Sequence, residues 1–148
     1  MNFLTWLIGL LTGKLPELPS IPHRIDFNQI QFEDYQEDGK RYKRMIVSKL
    51  PIETACLPVL HDTHSMDGLI NQDTNLVLTW SKEDKYKPQV GDVSIWADKE
   101  TGVSRTHQLV GTNPDGSFQS KGSNPYIAPD PVTITPDEII YVTLAVLG

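Results

Sequence analysis

One serine of this sequence lies at a short polar turn between two apolar runs. Ser65 belongs to the stretch THSMDGLI, residues 63–70, which follows the apolar run LPVL. A serine hydroxyl is a weak nucleophile at neutral pH, so it needs a base that takes its proton and a third group that orients the base. Both types occur later in the chain, His107 in SRTHQLVG and Asp130 in APDP. These three residues meet the minimum requirement for catalysis by a serine, although most proteins contain such residue types.

Two histidines and two aspartates around Ser65 also suggest a metal site. They are His61, His64, Asp62 and Asp67. On an extended segment, however, the side chains of a His-x-x-His pair point to opposite faces. No third cluster of ligands supports a metal ion here. We therefore predict neither a metal nor a cofactor.

The elements that must position these residues are short and rich in β-forming residues. From residue 41 onward, apolar runs are bounded by turn residues, as in LPVLH, NLVLTW, DVSIWAD, RTHQLVG and IIYVTLAVL. The segment NPDG, residues 113–116, has turn chemistry and joins two runs as a hairpin. Thr135 before Pro136 predicts one helical turn that starts at Thr135. The sequence therefore predicts a mostly β fold, a compact antiparallel barrel or sandwich with no long helix after residue 15.

Residues 1–12, MNFLTWLIGLLT, form a strongly apolar segment ahead of the β-rich part. Apolar residues at positions 3, 4, 7, 8 and 11 fall on one face, which predicts an amphipathic helix. The segment is shorter than the roughly 20 residues of a spanning helix, and it lacks the features of a cleavable signal peptide. Such a helix docks on a protein partner, lies on a membrane surface or packs on its own domain, and we favour the first two equally. We interpret residues 13–40 as a linker or extension and residues 41–148 as the β-domain.

The net charge of −6 and the pI of about 5.1 argue against a general nucleic-acid surface. The basic cluster at residues 40–44 follows an acidic run at residues 33–38, so the charges nearly cancel locally. We interpret this region as a solvated hairpin or strand edge and predict no nucleic-acid partner. Cys56 is the single cysteine, which excludes an intrachain disulfide, and its apolar surroundings predict a buried structural thiol.

Five blocks within residues 59–148 resemble, in the same order, the catalytic core of the type I signal peptidase and SOS-repressor superfamily. The resemblance is closest to the archaeal and endoplasmic-reticulum signal peptidases. In that family the first block carries the nucleophile and the third carries the base. The blocks are THSM at 63–66, VGDVSIW at 90–96, THQLVG at 106–111, FQSKGSNPYIAPDP at 118–131 and ITPDEIIYV at 134–142.

The resemblance implies a serine endopeptidase in which Ser65 is the nucleophile and His107 is the general base. Most bacterial members have a lysine at the His107 position. The family builds its oxyanion hole at positions that correspond to the Ser65 amide and the Thr63 hydroxyl. Its substrate is an extended peptide or protein chain, bound by β-addition and cut after small residues.

The chain also departs from the family pattern. Gly68 replaces a proline, Gln108 replaces an arginine, and Ser123 replaces the aspartate of the family's KGD motif. Asp130 is present but displaced by one residue. A hydroxyl at Ser123 can orient a histidine but cannot stabilise its charge, so Ser123 is at most an auxiliary group. We expect Asp130 to reach the His107 ring directly, through Ser123 or through a water, and an aspartate at position 123 to leave activity unchanged or to raise it.

The sequence leaves two functions open. The first is the serine endopeptidase. The second is a catalytically degenerate structural or interaction protein, such as a phage virion or assembly component, that docks through its N-terminal segment. Under the second, Ser65 is a turn serine, His107 a half-buried histidine and Asp130 part of a rigid exposed turn. A repressor of the SOS type is disfavoured because no helix pair for DNA binding is recognisable in residues 1–58.

Overall fold

The computed structural model describes residues 1–22, 30–47, 54–58, 64–70, 76–80 and 87–147. These ranges contain one N-terminal helix, nine strands and one short 3₁₀ turn at Pro136–Glu138. The helix is α1 (Phe3–Thr12), and the strands are β1 (Ile30–Glu37), β2 (Lys40–Val47), β3 (Thr54–Pro58), β4 (Leu76–Trp80), β5 (Val93–Ala97), β6 (Ser104–Thr112), β7 (Phe118–Lys121), β8 (Thr133–Ile134) and β9 (Ile139–Leu147).

Seven of the strands form one curled antiparallel sheet in the order β3-β4-β9-β5-β6-β7-β8. Every pair of neighbours within it is antiparallel. The prediction of a compact, mostly β fold is therefore confirmed. The predicted turns at residues 113–116 and Thr135 are also present: the Asn113 amide donates to the Ser117 carbonyl, and the Thr135 amide donates to the Glu138 carboxylate.

The registers of β5, β6 and β7 decide which side chains meet on one face. Ser94 pairs with His107, and Gln108 pairs with Lys121. Because side chains alternate between the two faces of a strand, His107 and Gln108 point to opposite sides of the sheet. Near Gly111 the β6–β7 register shifts, which leaves Val110 as the extra residue of a bulge.

The described core lies on both sides of this sheet. Met66 and Ile70, from the turn that contains Ser65, pack with Val93 of β5 in one buried cluster. The turn is therefore attached to the sheet through apolar side chains that follow Ser65. Other fully or almost fully buried apolar residues are Leu109, Ile134, Ile139 and Val142.

Strands β1 and β2 form a separate two-stranded ribbon. Acidic residues of β1 are in register with basic residues of β2, Glu33 with Arg44 and Asp34 with Lys43. The interpretation of the two charge runs as a solvated hairpin is confirmed, since residues 31–42 are mostly exposed. Strand β1 lies inside the segment that we interpreted as a linker or extension. The sequence did not predict this strand because its many acidic and amide residues hide its alternation.

Helix α1 forms as predicted and packs on its own domain through one side. The Asn2 side chain caps its N-terminus, and Gly13 ends it in the left-handed conformation. Trp6 and Gly9 are buried. The third alternative for the N-terminal segment, packing on its own domain, is therefore present in part. No helix among the described residues is long and apolar enough to cross a membrane.

The outer side of α1 nevertheless keeps an apolar surface in contact with solvent. Four of its large side chains are each more than half exposed: Phe3, Leu4, Ile8 and Leu11. Docking of this surface on a protein partner or a membrane stays a prediction.

Candidate active site

His107 and Asp130 form a close polar pair on one face of the seven-stranded sheet. His107 lies in the buried part of β6, and its Nδ1 is 2.8 Å from Asp130 Oδ2. The predicted contact between Asp130 and the His107 ring is confirmed, and it is direct. Since Asp130 occupies Nδ1, the other ring nitrogen, Nε2, is the one available for chemistry.

Asp130 is held in place by Ser120, a residue that the sequence analysis did not single out. The Ser120 hydroxyl donates to Asp130 Oδ2 at 2.5 Å, and the Asp130 amide donates to the Ser120 carbonyl oxygen at 2.8 Å. Ser120 is fully buried on β7. The only sign of such a role in the sequence is the type of residue: Ser120 is a small polar residue at a core-facing position of a strand. These contacts explain how Asp130 reaches His107 despite its one-residue displacement.

The turn that contains Ser65 is compact and has an unusual backbone. His64, directly before Ser65, has a φ of +55°, in the left-handed region that non-glycine residues seldom adopt. The amides of Leu69 and Ile70 both donate to the Met66 carbonyl oxygen. A strained residue beside a reactive group is common at functional sites, because the surrounding structure must hold it there.

Asn124 holds this turn against the loop that follows β7. Its backbone amide donates to the Ser65 carbonyl oxygen at 3.1 Å. Its side-chain amide donates to the His64 carbonyl oxygen at 3.0 Å. The strained residue His64 and its neighbour Ser65 are thus both hydrogen-bonded to Asn124.

Gly122 permits a close approach between the Ser65 turn and the loop that follows β7. A β-carbon at position 122 would overlap the Ser65 carbonyl oxygen, so only glycine permits this approach. Gln108 of β6 pairs with Lys121, the last residue of β7. If the same register continued by one residue, Gly122 would lie opposite His107. Directly opposed residues of an antiparallel pair have Cβ atoms roughly 5 Å apart. The Ser65 backbone therefore occupies the space that a side chain at position 122 would fill.

Two further residues surround the His107 ring. Trp96 lies edge-on to it, with ring centroids 5.9 Å apart. Ser94, opposite His107 on β5, is fully buried, and its hydroxyl has no hydrogen-bond partner in the part of the chain that the structure describes. The ring therefore lies in a sheltered setting in which its orientation depends mainly on Asp130.

Lys121 is a buried cation next to the site, and the sequence analysis did not identify it. Its side chain is 1% exposed, and Nζ donates to the Asn124 carbonyl at 2.7 Å and to the Gly122 carbonyl at 3.1 Å. Burial lowers the pKa of Lys121 below its usual value, while the charge of Asp130 opposes that shift. The ammonium thus binds the loop residues that approach Ser65.

Ser123 does not orient His107. Its hydroxyl donates to the Asp67 carbonyl oxygen at 3.0 Å, and its amide contacts Met66 Sδ at 3.4 Å. The interpretation of Ser123 as an auxiliary group between Asp130 and His107 is therefore wrong, because its side chain is committed to the turn. Its contribution is to hold the turn that contains Ser65.

The geometry changes the expected effect of an aspartate at position 123. Ser123→Asp replaces a hydroxyl donor with a carboxylate that faces the Asp67 carbonyl oxygen, so both groups become acceptors. We expect the free energy of unfolding to fall by about 1–3 kcal/mol, since a half-buried carbonyl loses its donor and faces a negative charge instead. Urea denaturation measures the effect. Ser123→Ala is the matched control, with an expected loss of about 1 kcal/mol, and a Ser123→Asp protein as stable as the wild type would contradict the assignment.

The remaining predicted site residues fall into two groups. Thr63, the second expected oxyanion donor, lies outside the described residues, as do His61 and Asp62. His64 and Asp67 contact each other at 3.3 Å on the exposed side of the turn. Among the residues that the structure describes, no group of His, Cys, Asp or Glu is arranged to hold a metal ion.

No family model, no curated protein and no solved structure matches this chain. We therefore infer the function from the geometry of the site and from the resemblance of its motifs.

Proposed function

We propose that this chain is a serine endopeptidase with Ser65 as nucleophile, His107 as general base and Asp130 as the group that orients the base. One observation carries the proposal: His107 is hydrogen-bonded through Nδ1 to Asp130, as a general base is to the carboxylate that orients it. Ser65 packs against Gly122, which directly follows the β7 residue that pairs with Gln108. The strained backbone at His64 and the hydrogen bonds from Asn124 support it, because they hold the serine in a fixed turn.

In the acylation step, Ser65 Oγ bonds to the carbonyl carbon of the substrate peptide while its proton moves to His107 Nε2. Asp130 accepts the Nδ1–H hydrogen bond and stabilises the imidazolium. The oxyanion donors stabilise the negative charge that develops on the substrate oxygen. The resemblance implies that these donors are the Ser65 amide and the Thr63 hydroxyl. The carbon–nitrogen bond then breaks, and Nε2 returns the proton to the leaving amine.

In the deacylation step, a water attacks the Ser65 ester and gives its proton to Nε2. The ester bond breaks, the product acid leaves, and Ser65 regains the proton. Ser120 keeps the Asp130 carboxylate in place through both steps. The extended-peptide substrate and the preference for small residues before the cut follow from the resemblance, not from the geometry.

The test is cleavage of a proteome-derived peptide library, with new termini identified by mass spectrometry. We expect the wild-type protein to produce cuts after small residues. His107→Gln keeps a side chain that can hydrogen-bond to Asp130 but cannot accept the serine proton, so the rate should fall by about 10⁴–10⁶-fold. Wild-type activity that survives this substitution would contradict the assignment of the base.

A wild-type protein that cuts no peptide would favour the second candidate, an interaction module with the architecture of a peptidase. The observation that favours it is the uncovered apolar side of α1, with Phe3, Leu4, Ile8 and Leu11 exposed. Its partner would be a protein or a membrane surface that receives these side chains.

A further inference from the structure

Helix α1 contacts the same loop that holds the candidate nucleophile. The Trp6 side chain is 8% exposed, and its indole Nε1 donates to the Pro125 carbonyl oxygen at 3.0 Å. The two residues are 119 positions apart in the chain. A second tie lies at the start of the helix, where the Met1 ammonium donates to the Val110 carbonyl oxygen at the β6 bulge.

Pro125 directly follows Asn124, which makes five polar contacts through four different groups, one of them from the Ile127 amide to the Asn124 carbonyl oxygen. Its amide and its side-chain NH₂ donate to the Ser65 and His64 carbonyls. Its own carbonyl accepts from Lys121 Nζ, and its side-chain oxygen accepts from the Tyr126 amide. The position of Asn124 therefore fixes the turn, and Trp6 holds the residue next to it.

We infer that Trp6 is a positioning residue for the Ser65 turn, acting through Pro125 and Asn124. The expected effect of Trp6 on catalysis rests on the proposed function. Its effect on the position of the Ser65 turn does not. Trp6 is the one aromatic side chain that α1 buries against this loop, whereas Phe3, Leu4, Ile8 and Leu11 are more than half exposed. An indole N–H that finds a partner when buried is the usual arrangement for tryptophan.

The experiment compares Trp6→Phe with the wild-type protein. Phenylalanine keeps an aromatic ring in the same place but removes the N–H donor to Pro125. We expect hydrogen exchange at the amides of Asn124, Leu69 and Ile70 to become about fivefold faster, which corresponds to one net hydrogen bond. Exchange in the centre of β5 and β6 should not change. With peptide substrates, kcat should fall by a similar factor while KM stays the same.

Leu4→Ala is the matched control, because Leu4 lies on the same helix but faces solvent. It should leave both the exchange rates and kcat unchanged. If Trp6→Phe does not fold, Asn2→Ala loosens the same helix by removing its cap on the Thr5 amide, and the same amides should exchange faster.

The possible results separate the two proposals. Faster exchange at Asn124, Leu69 and Ile70 supports the role of Trp6, even if no variant cuts any peptide, in which case the proposed function alone fails. Unchanged exchange at these three amides in a folded Trp6→Phe protein overturns the inference. A uniform increase across the whole sheet also overturns it, because that pattern reports a general loss of stability.

Discussion

Replacing Ser65 with alanine is expected to abolish peptide cleavage while the protein stays folded. The substitution removes only the Oγ that forms the bond to the substrate carbonyl. In serine peptidases, loss of the nucleophile lowers kcat by about 10⁶-fold, since the other members of the site cannot act without it. The turn itself depends on the backbone contacts of Ser65 with Asn124 and Gly122, which alanine retains. Steady-state cleavage of the peptides cut by the wild type measures the first effect, and urea denaturation measures the second.

Ser104→Ala provides the control for this substitution. Ser104 is an exposed serine at the start of β6, on the same strand as His107 but away from its buried half. It should keep wild-type activity and stability. A Ser65→Ala protein that still cuts the same peptides would remove Ser65 from the mechanism and would leave the interaction module as the better account.

The second large effect is expected for Asp130→Asn. An asparagine has nearly the same shape, but its NH₂ group can donate a hydrogen bond to His107 Nδ1. The ring would then carry its proton on Nε2, where it cannot accept the proton of Ser65. In a comparable triad this exchange lowers kcat by about 10⁴-fold. Cleavage rates measure the loss, and circular dichroism checks that the sheet is intact.

Ser120→Ala separates the orientation of Asp130 from its charge. It removes the hydroxyl that donates to Oδ2 but leaves the backbone hydrogen bond that ties Asp130 to the same strand. We expect a smaller loss of kcat, about tenfold, which is what one hydrogen bond to a charged group is worth. An Asp130→Asn protein with more activity than Ser120→Ala would show that the carboxylate is not the group that matters.

The local patterns of the sequence were sufficient for most of the fold. The β-forming run RTHQLVG predicts a strand, and β6 contains it. The turn residues at 113–116 determine a hairpin because their backbone conformations are available to few other residues. β1 escaped the same reasoning because its sequence, IQFEDYQE, carries acidic and amide residues on both faces. Such a strand has no buried side, so no apolar period marks it.

The sequence also identified Ser65, His107 and Asp130 as candidates, through their motifs and their order. It left open whether Asp130 reaches the His107 ring directly, through Ser123 or through a water. That choice depends on which way the loop after β7 turns, and the loop directs Ser123 towards Asp67, 56 residues earlier in the chain. Asp130 contacts His107 across 23 residues by a path that Ser120 defines.

Only the tertiary structure decided the roles of Gly122, Lys121 and Trp6. The close approach of Ser65 requires glycine at position 122. Lys121 can be buried because two carbonyl oxygens accept hydrogen bonds from its ammonium group. Trp6 contacts a loop residue 119 positions away in the chain. The physical reason is the same in each case. Periodicity and turn chemistry act between residues a few positions apart, whereas these contacts arise only when sheet register and core packing bring distant segments together.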